Sequence, residues 1–239
     1  MKKKIIISFC IILALAIIGG GIYLFGFYLP QEKQKQEHQK LVDLYIQNKL
    51  TLYEQENATL SPGEIDVAFI GDSLTDLYDV VKHYPDYKVT NRGIGGDTTF
   101  RVEARLDVSL YQIQPKAVVM LIGANNMTTM FDNYENIIIS MKDNMPNTEI
   151  ILVSLTAMGG EHWGKNNHLA CFNNVKIKML AEKHDCIYVD LYSAQLNPDT
   201  NEIYEEYTTD GGHQTEIGYK VFTQIITPAI EEALKKRDN

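Results

Sequence analysis

Short apolar segments alternate with longer amphipathic segments through most of this chain of 239 residues. Apolar runs of five or six residues, many of them β-branched, predict buried strands. These strands are expected at 65–70, 87–91, 117–122, 149–154 and 186–191. Segments with helical spacing of apolar residues follow at 74–81, 98–107, 134–144, 167–183 and about 215–236. This alternation predicts an α/β fold in which helices cover both faces of a central parallel sheet of about five strands.

The loops that follow the predicted strands are where function is expected, because α/β sheets bind ligands at the carboxyl ends of their strands. Four such loops carry distinctive sequences. They read GDSL at 71–74, NRGIGGDT at 91–98, GANN at 123–126 and DGGH at 210–213.

Residues in these loops suit acyl transfer. Ser73 lies where a strand gives way to a helix, and the free N–H groups of a helix start favour developing negative charge. Histidine is a base at neutral pH, so His213 can take the serine proton while Asp210, three residues earlier, holds the other ring nitrogen. The backbone N–H groups of Ser73 and Gly96 and the side-chain amide of Asn125 can stabilise an oxyanion. These five residues predict a catalytic triad and an oxyanion hole.

The four blocks resemble those of the SGNH hydrolase superfamily, the GDSL esterases and lipases, over about residues 65–230. The resemblance implies a flavodoxin-like three-layer α/β/α sandwich and ester hydrolysis without a metal or cofactor. It places Ser73 on the nucleophile, Gly96 and Asn125 on the oxyanion donors, and Asp210 and His213 on the DxxH pair. Two positions depart from the family's pattern: Asn126 stands where the third block usually has Asp, and Gln214 follows His213 in place of Pro or Leu.

The N-terminus reads as a membrane segment. Lys2, Lys3 and Lys4 precede an uncharged apolar run from 5 to 29, and roughly 20 apolar residues suffice to cross a bilayer. Because basic flanks stay cytoplasmic, we expect a transmembrane signal-anchor with the remaining chain outside the cytoplasm. The alternative is a signal peptide that is cleaved, with secretion of the rest.

The chain is therefore expected to have three parts. They are an anchor at 1–29, a polar stalk or juxtamembrane helix at 30–62, and the hydrolase domain at 63–239. The net charge of −9 argues against nucleic acid as a partner. Three cysteines are too few for a disulfide scaffold, and no Cys/His spacing suggests a metal site. Cys171 and Cys186 could pair or remain separate thiols.

Several further residues allow two interpretations. Trp163, the only tryptophan, could be a substrate platform at the rim of the pocket or part of simple loop packing. Met127 and Phe131 could line an acyl pocket or belong to the core. Arg101 and Arg105 lie four residues apart on a predicted helix, which favours a surface position.

The sequence thus predicts a carboxylic ester hydrolase outside the cytoplasm, with a preference for short acyl groups, such as acetyl, on carbohydrate. A lysophospholipase or lipase, and an O-acyltransferase that uses the same triad, are alternatives. A catalytically silent surface-binding module is a remote one. The expected partners of the protein are the ester substrate, which is an acylated carbohydrate or lipid, and the membrane, which it contacts through the N-terminal helix.

Overall fold

The structure is a computed structural model that describes residues 19–21 and 23–237. Most of the predicted anchor, 1–18 and 22, lies outside these residues. Within the described ranges, no helix combines the length and apolar character that a membrane span requires. The chain divides into two compact units, Met1–Lys49 and Leu50–Asn239. In the first, a π-helical turn at Leu24–Tyr28 leads into helix α1, Leu29–Asn57, whose last two turns belong to the second unit.

The second unit is built on a parallel sheet of five strands. They are β1 (Val67–Gly71), β2 (Val89–Gly93), β3 (Ala117–Leu121), β4 (Glu149–Val153) and β5 (Ile187–Val189). Their order in the sheet is β2-β1-β3-β4-β5, with every neighbouring pair parallel. All five predicted strands are confirmed, with ends that differ from the prediction by at most two residues.

Helices follow the strands, most of them where the apolar spacing predicts; two short ones, Gly160–Trp163 and Leu191–Gln195, were not predicted. They are α2 (Ser73–Asp76), α3 (Val80–His83), α4 (Thr99–Ala104), α5 (Tyr134–Asn144), α6 (Gly160–Trp163), α7 (Asn167–Lys183), α8 (Leu191–Gln195) and α9 (Glu216–Arg237). The single helix predicted at 74–81 is two short ones, because Asp79 caps a new start by accepting the N–H of Lys82. The helix predicted at 98–107 ends at Ala104, and a π-helical turn follows at Asp107–Tyr111.

Alternate side chains of the strands supply two cores, one on each face of the sheet. Ile70, Val118 and Met120 are buried on the face covered by α5 and α7. Phe69, Val119 and Leu121 are buried on the other face, together with apolar residues of α9. The central strands β1 and β3 are wholly buried because helices cover both faces, as expected of a parallel sheet. This arrangement confirms the predicted α/β sandwich.

The end of α1 is fastened to strand β2 at the edge of the sheet. Arg92 is fully buried, and its Nη1 lies 3.1 Å from Oε2 of Glu56. Its Nη2 donates to Oδ1 of Asn57 at 2.8 Å, and its guanidinium lies 4.7 Å from the ring centre of Tyr53. The Tyr53 hydroxyl donates to the carbonyl of Gly93 at 2.6 Å. These contacts hold the strand that leads into the glycine-rich loop.

A short hairpin was not predicted from the sequence. Strands β6 (Leu196–Asn197) and β7 (Glu202–Ile203) form an antiparallel pair beside the DGGH loop. Two-residue strands show no hydrophobic period, so the pattern gave no signal for them. Cys171 and Cys186 are free thiols in this structure.

Candidate active site

Ser73 is the first residue of α2, directly after the turn that ends β1. Asp72 caps this helix, and its Oδ1 accepts the N–H of Leu74 at 3.0 Å. A side chain at Gly71 would clash with the carbonyl of Leu121 on the neighbouring strand. The serine is therefore held at the carboxyl edge of the sheet by a tight turn and a capped helix start.

The three residues predicted as the triad are hydrogen-bonded in the expected order, from Ser73 to His213 and from His213 to Asp210. Ser73 Oγ is 3.1 Å from Nε2 of His213, and Nδ1 of the same ring is 2.8 Å from Oδ2 of Asp210. Oδ1 of Asp210 accepts the backbone N–H groups of Gly212 and His213 at 2.9 and 2.7 Å. This geometry can move the serine proton to the imidazole and stabilise the resulting cation.

The environment of Asp210 keeps its carboxylate ionised. Partial burial works to raise the pKa of Asp210, but the hydrogen bonds from His213 and Gly212 and the charge of His213 outweigh it. The net result is a pKa well below the ordinary range of an aspartate. An ionised carboxylate at this position holds the imidazole orientation over the whole neutral pH range.

The DGGH loop is shaped by its own polar groups and by a glycine. Thr208 Oγ1 donates to the carbonyl of His213 at 2.7 Å and accepts the N–H of Gly211 at 2.9 Å. Gly211 has a φ of +89°, and a side chain there would clash with the carbonyl of Gly159. Since Gly159 N–H also donates to the Gly211 carbonyl at 2.8 Å, the loop after β4 supports the base directly.

The predicted oxyanion donors lie in two loops that are bonded together. Nδ2 of Asn125 donates to the carbonyl of Asp97 at 2.9 Å, which leaves its second hydrogen available. Gly96 has a φ of +78°, and the adjacent Gly95 N–H donates to Oδ2 of Asp76 in α2 at 3.0 Å. Across the part of the chain that the structure describes, no group accepts a hydrogen bond from the N–H of Ser73 or Gly96. Their role in catalysis remains a prediction.

A narrow cavity of about 20 Å³ opens beside Ser73. Asn125 and His213 line it, whereas Gly96 does not. Trp163 also lines it and meets the His213 ring edge to face at 5.9 Å. The remaining lining residues are Asp72, Leu74, Ala124, Thr156, Met158 and Gly212.

Trp163 fits both interpretations offered by the sequence, because it faces the cavity and packs on the DGGH loop. A Cβ atom at Gly212 would come within 2.7 Å of the Trp163 ring. Met127 and Phe131 are not brought to this cavity. Met127 is buried in the core, and Phe131 packs against the core beneath the ammonium of Lys176, 4.2 Å from its ring centre. A substrate-binding role for these two residues therefore has no support from their positions.

A second, larger cavity of about 590 Å³ lies on the Asp210 side of the triad. It is formed by the β6–β7 hairpin, the start of α6 and the DGGH loop. Seven of its eleven lining residues have polar side chains, and none is lysine or arginine: Gly159, Gly160, Asn197, Thr200, Glu202, Ile203, Glu205, Thr208, Thr209, Asp210 and Gly211. Nowhere in 19–21 and 23–237 do three or more His, Cys, Asp or Glu residues form a group that could hold a metal ion.

Buried charges lie beneath the site, and sequence spacing did not reveal them. Arg105 was predicted at the surface, but it is buried, and its Nε donates to Oδ2 of buried Asp97 at 2.7 Å. The prediction for Arg105 is wrong because α4 is short and ends before it, so helical spacing does not set its direction. Burial raises the pKa of Asp97, and the charge of Arg105 opposes this shift.

Comparison with known proteins identifies the family. The sequence profile of the GDSL-like Lipase/Acylhydrolase family matches residues 69–221, which include all four loop blocks. The chain belongs to this family. No curated protein sequence matches it.

Solved structures of GDSL-like proteins share this fold. A GDSL-like lipase from Bacteroides thetaiotaomicron is 25% identical, with a TM-score of 0.68 over 77% of this chain and 98% of that one. An acylhydrolase candidate from Bacteroides fragilis is 26% identical, with a TM-score of 0.67 over 76% and 95%. An acetylxylan esterase from Geobacillus stearothermophilus shares the fold at 20% identity, with a TM-score of 0.57 over 71% and 95%. This GDSL-family chain is a carboxylic ester hydrolase.

The two departures from the GDSL pattern have structural roles of their own. Asn126 accepts the N–H of Thr99 at 3.3 Å and donates to its hydroxyl at 2.9 Å, which secures the start of α4. Gln214 is buried and accepts from Nε2 of Gln195 at 2.7 Å. Both side chains therefore make hydrogen bonds within or beside the loops around the site.

Asp72 is a second unusual carboxyl group in the site. It is buried, and no described residue is hydrogen-bonded to its Oδ2. Burial raises the pKa of Asp72 to about 7, and the charge of Asp97 adds to this, while the Leu74 N–H and His213 oppose it. Because its pKa is raised above the unfolded value, Asp72 stabilises the fold at low pH, and this contribution is lost as the pH rises towards 7.

We expect Asp72→Asn to stabilise the protein at pH 8 by about 1–3 kcal/mol, because it removes a buried negative charge, and to change little at pH 4. The asparagine keeps the cap to Leu74 while removing the charge. Urea unfolding of the full chain at both pH values measures the difference. Asp79→Asn, at the exposed cap of α3, corrects for the general effect of this substitution at a helix cap. An equal change in unfolding free energy at both pH values would contradict the raised pKa.

Proposed function

We propose that this protein is an extracytoplasmic serine esterase that removes short acyl groups, acetyl first among them, from carbohydrate. The observation that carries this proposal is the hydrogen-bonded series from Ser73 through His213 to Asp210, directed at a narrow cavity. Family membership supports ester hydrolysis, and the geometry supports these three residues as the ones that perform it.

In the first half of the reaction, His213 takes the proton of Ser73 Oγ as this oxygen attacks the ester carbonyl. The carbonyl oxygen becomes an oxyanion and accepts hydrogen bonds from the N–H groups of Ser73 and Gly96 and from the Asn125 amide. When the tetrahedral intermediate collapses, the ester C–O bond breaks. The alcohol leaves with the proton from His213, and the acyl group stays on Ser73.

In the second half, water replaces the alcohol. His213 takes a proton from the water as its oxygen attacks the acyl carbonyl, and the same three donors stabilise the second oxyanion. Collapse breaks the bond to Ser73 Oγ, which regains a proton from His213, and the carboxylic acid leaves. Asp210 stays ionised throughout and stabilises the imidazolium each time it forms.

The size of the cavity beside Ser73 supports a short acyl group. A space of about 20 Å³ holds about one water-sized group, so an acetyl methyl fits better than an extended chain. Met158 and Trp163 close its wall, and Met127 and Phe131, which could have extended it, pack elsewhere. This favours acetyl esters over lysophospholipids.

The larger cavity supports a carbohydrate as the alcohol part. It offers about 590 Å³ lined by threonine, asparagine and glutamate side chains, which are hydrogen-bond partners for sugar hydroxyls. The DGGH loop borders both cavities: Asp210 and Gly211 line the larger one, and Gly212 and His213 line the one beside Ser73. The acetylxylan esterase from Geobacillus stearothermophilus has the same fold, so an acetylated saccharide is compatible with it.

The location outside the cytoplasm rests on the N-terminal sequence. Three lysines followed by the apolar run 5–29 have the charge order and length of a signal-anchor. A tethered esterase of this kind would act on polysaccharide at the cell surface.

The acyl preference can be measured with nitrophenyl acetate, butyrate, octanoate and palmitate. We expect kcat/KM to fall steeply beyond acetate, because longer chains do not fit beside Ser73. Ser73→Ala should lose about 10⁴-fold or more of the activity, since it lacks the nucleophile. Ser61→Ala, at an exposed serine before β1, is the matched control and should keep full activity.

Two results would contradict this proposal. A preference for octanoate or palmitate would replace the acetylated saccharide with a lipid. Full activity in Ser73→Ala would remove the proposed nucleophile.

The tether can be tested by fractionating bacterial cells that express the full chain. We expect the protein to remain with the membranes after an alkaline carbonate wash and to be digested by protease added to spheroplasts. A chain without residues 1–29 should remain in the soluble cytoplasmic fraction. Recovery of a shortened, soluble protein outside the cells would show instead that the N-terminal segment is cleaved.

A further inference from the structure

Arg105 is a buried cation whose guanidinium contacts two of the loops that form the site. It is 5% exposed. Its Nε donates to Oδ2 of Asp97 at 2.7 Å, its Nη2 donates to the carbonyl of Gly71 at 3.1 Å, and its Nη1 donates to Oγ of Ser109 at 2.8 Å. Each of its three nitrogens therefore has its own acceptor.

Two of these acceptors adjoin the predicted oxyanion donors in the chain. Gly71 lies two residues before Ser73, at the end of β1. Asp97 directly follows Gly96, and its carbonyl accepts the Asn125 amide at 2.9 Å. Through one carbonyl and one aspartate, Arg105 is thus connected to the segments that carry the N–H of Ser73, the N–H of Gly96 and the amide of Asn125.

The planar shape of the guanidinium matters for this role. Its N–H groups point in fixed directions, so contacts to Asp97 and Gly71 set the two loops at a defined separation. The Ser109 hydroxyl holds the third nitrogen and so fixes the rotation of the group. A lysine has one point of charge at the end of a flexible chain, and it could satisfy Asp97 without holding Gly71.

We propose that Arg105 is a positioning residue that holds the three oxyanion donors in register, and that it thereby acts on the transition state rather than on substrate binding. It does not contact the substrate, since it lines neither cavity. This inference rests on the proposed roles of Ser73, Gly96 and Asn125.

The test is Arg105→Lys in the full chain, which keeps the charge beside Asp97. We expect kcat on nitrophenyl acetate to fall about 10²-fold, close to the loss of one oxyanion donor, with KM changed less than twofold. The pH dependence of kcat/KM should keep its shape, because the Ser73–His213–Asp210 contacts are untouched. An alkyl boronic acid, which forms a tetrahedral adduct on the serine, should lose affinity by the same factor as kcat/KM.

Arg101→Lys is the matched control, because it makes the same change four residues earlier in the chain. Arg101 donates no side-chain hydrogen bond to the loops in the described structure, so its kcat and boronic acid affinity should match the wild type. A purely structural role for Arg105 would lower the melting temperature and the amount of active enzyme while leaving kcat per active site unchanged. Active sites are counted by labelling with a fluorophosphonate, and an unchanged kcat per labelled site would overturn the proposal.

Ser109→Ala provides a milder variant if Arg105→Lys does not fold. It removes only the hydrogen bond that Arg105 donates through Nη1, so we expect kcat to fall several-fold at constant KM. An unchanged kcat would overturn the proposal. Ser73→Ala, run in parallel, separates the two hypotheses. If Ser73→Ala retains activity, the proposed function fails; if it is inactive but the Arg105 and Ser109 variants match the wild type, only this inference fails.

Discussion

The register of the parallel sheet is the constraint on which the site depends. Strand β1 pairs with β2 so that Gly71 lies opposite Gly93, and with β3 so that Gly71 lies opposite Leu121. Three neighbouring strands therefore end at the same level, and the loops that carry Ser73, Gly96 and Asn125 start side by side. A shift of register along one strand would separate the nucleophile from the oxyanion donors without changing any side chain in the site.

Close backbone packing makes this arrangement tight. A side chain at Gly93 would clash with the backbone of Thr75 and Asp76 in α2, so the second loop can rest directly on the helix of the nucleophile. On the opposite side of the site, Gly211 packs on Gly159 in the same way. Glycines at both ends of the site thus allow two backbone segments to pack directly against each other, with no side chain between them.

The two carboxyl groups near Ser73, those of Asp210 and Asp72, differ in their ionisation. Asp210 is half-exposed and surrounded by hydrogen-bond donors, which lower its pKa and keep it ionised beside His213. Asp72 is buried with one unpartnered oxygen, and its pKa is raised to about 7. The pKa values of two aspartates close to one histidine are therefore shifted in opposite directions. The directions are set by burial and by the number of hydrogen bonds that each carboxylate accepts.

Much of this architecture could be predicted from the sequence, because buried parallel strands and amphipathic helices have strong patterns. The bounds of α5 and α7 match the predicted segments. Three of the loop blocks lie at the ends of β1, β2 and β3, and the DGGH block lies just before α9, as expected. Long-range contacts could not be predicted in this way. The burial of Arg105 depends on its partner Asp97 and the carbonyl of Gly71, and the placement of Met127 in the core depends on helices distant in the chain. The β6–β7 hairpin, which forms a wall of the larger cavity, is too short to leave a pattern.

The central claim is that Ser73 carries the acyl group during hydrolysis. The most direct measurement is rapid acid quenching of the wild-type enzyme with an activated acetyl ester, followed by mass spectrometry of its peptides. The account predicts an acetyl group on the peptide that contains Ser73, formed before steady-state turnover begins and missing in Ser73→Ala. Steady hydrolysis with no acyl group on Ser73, or with one on a different residue, would contradict it.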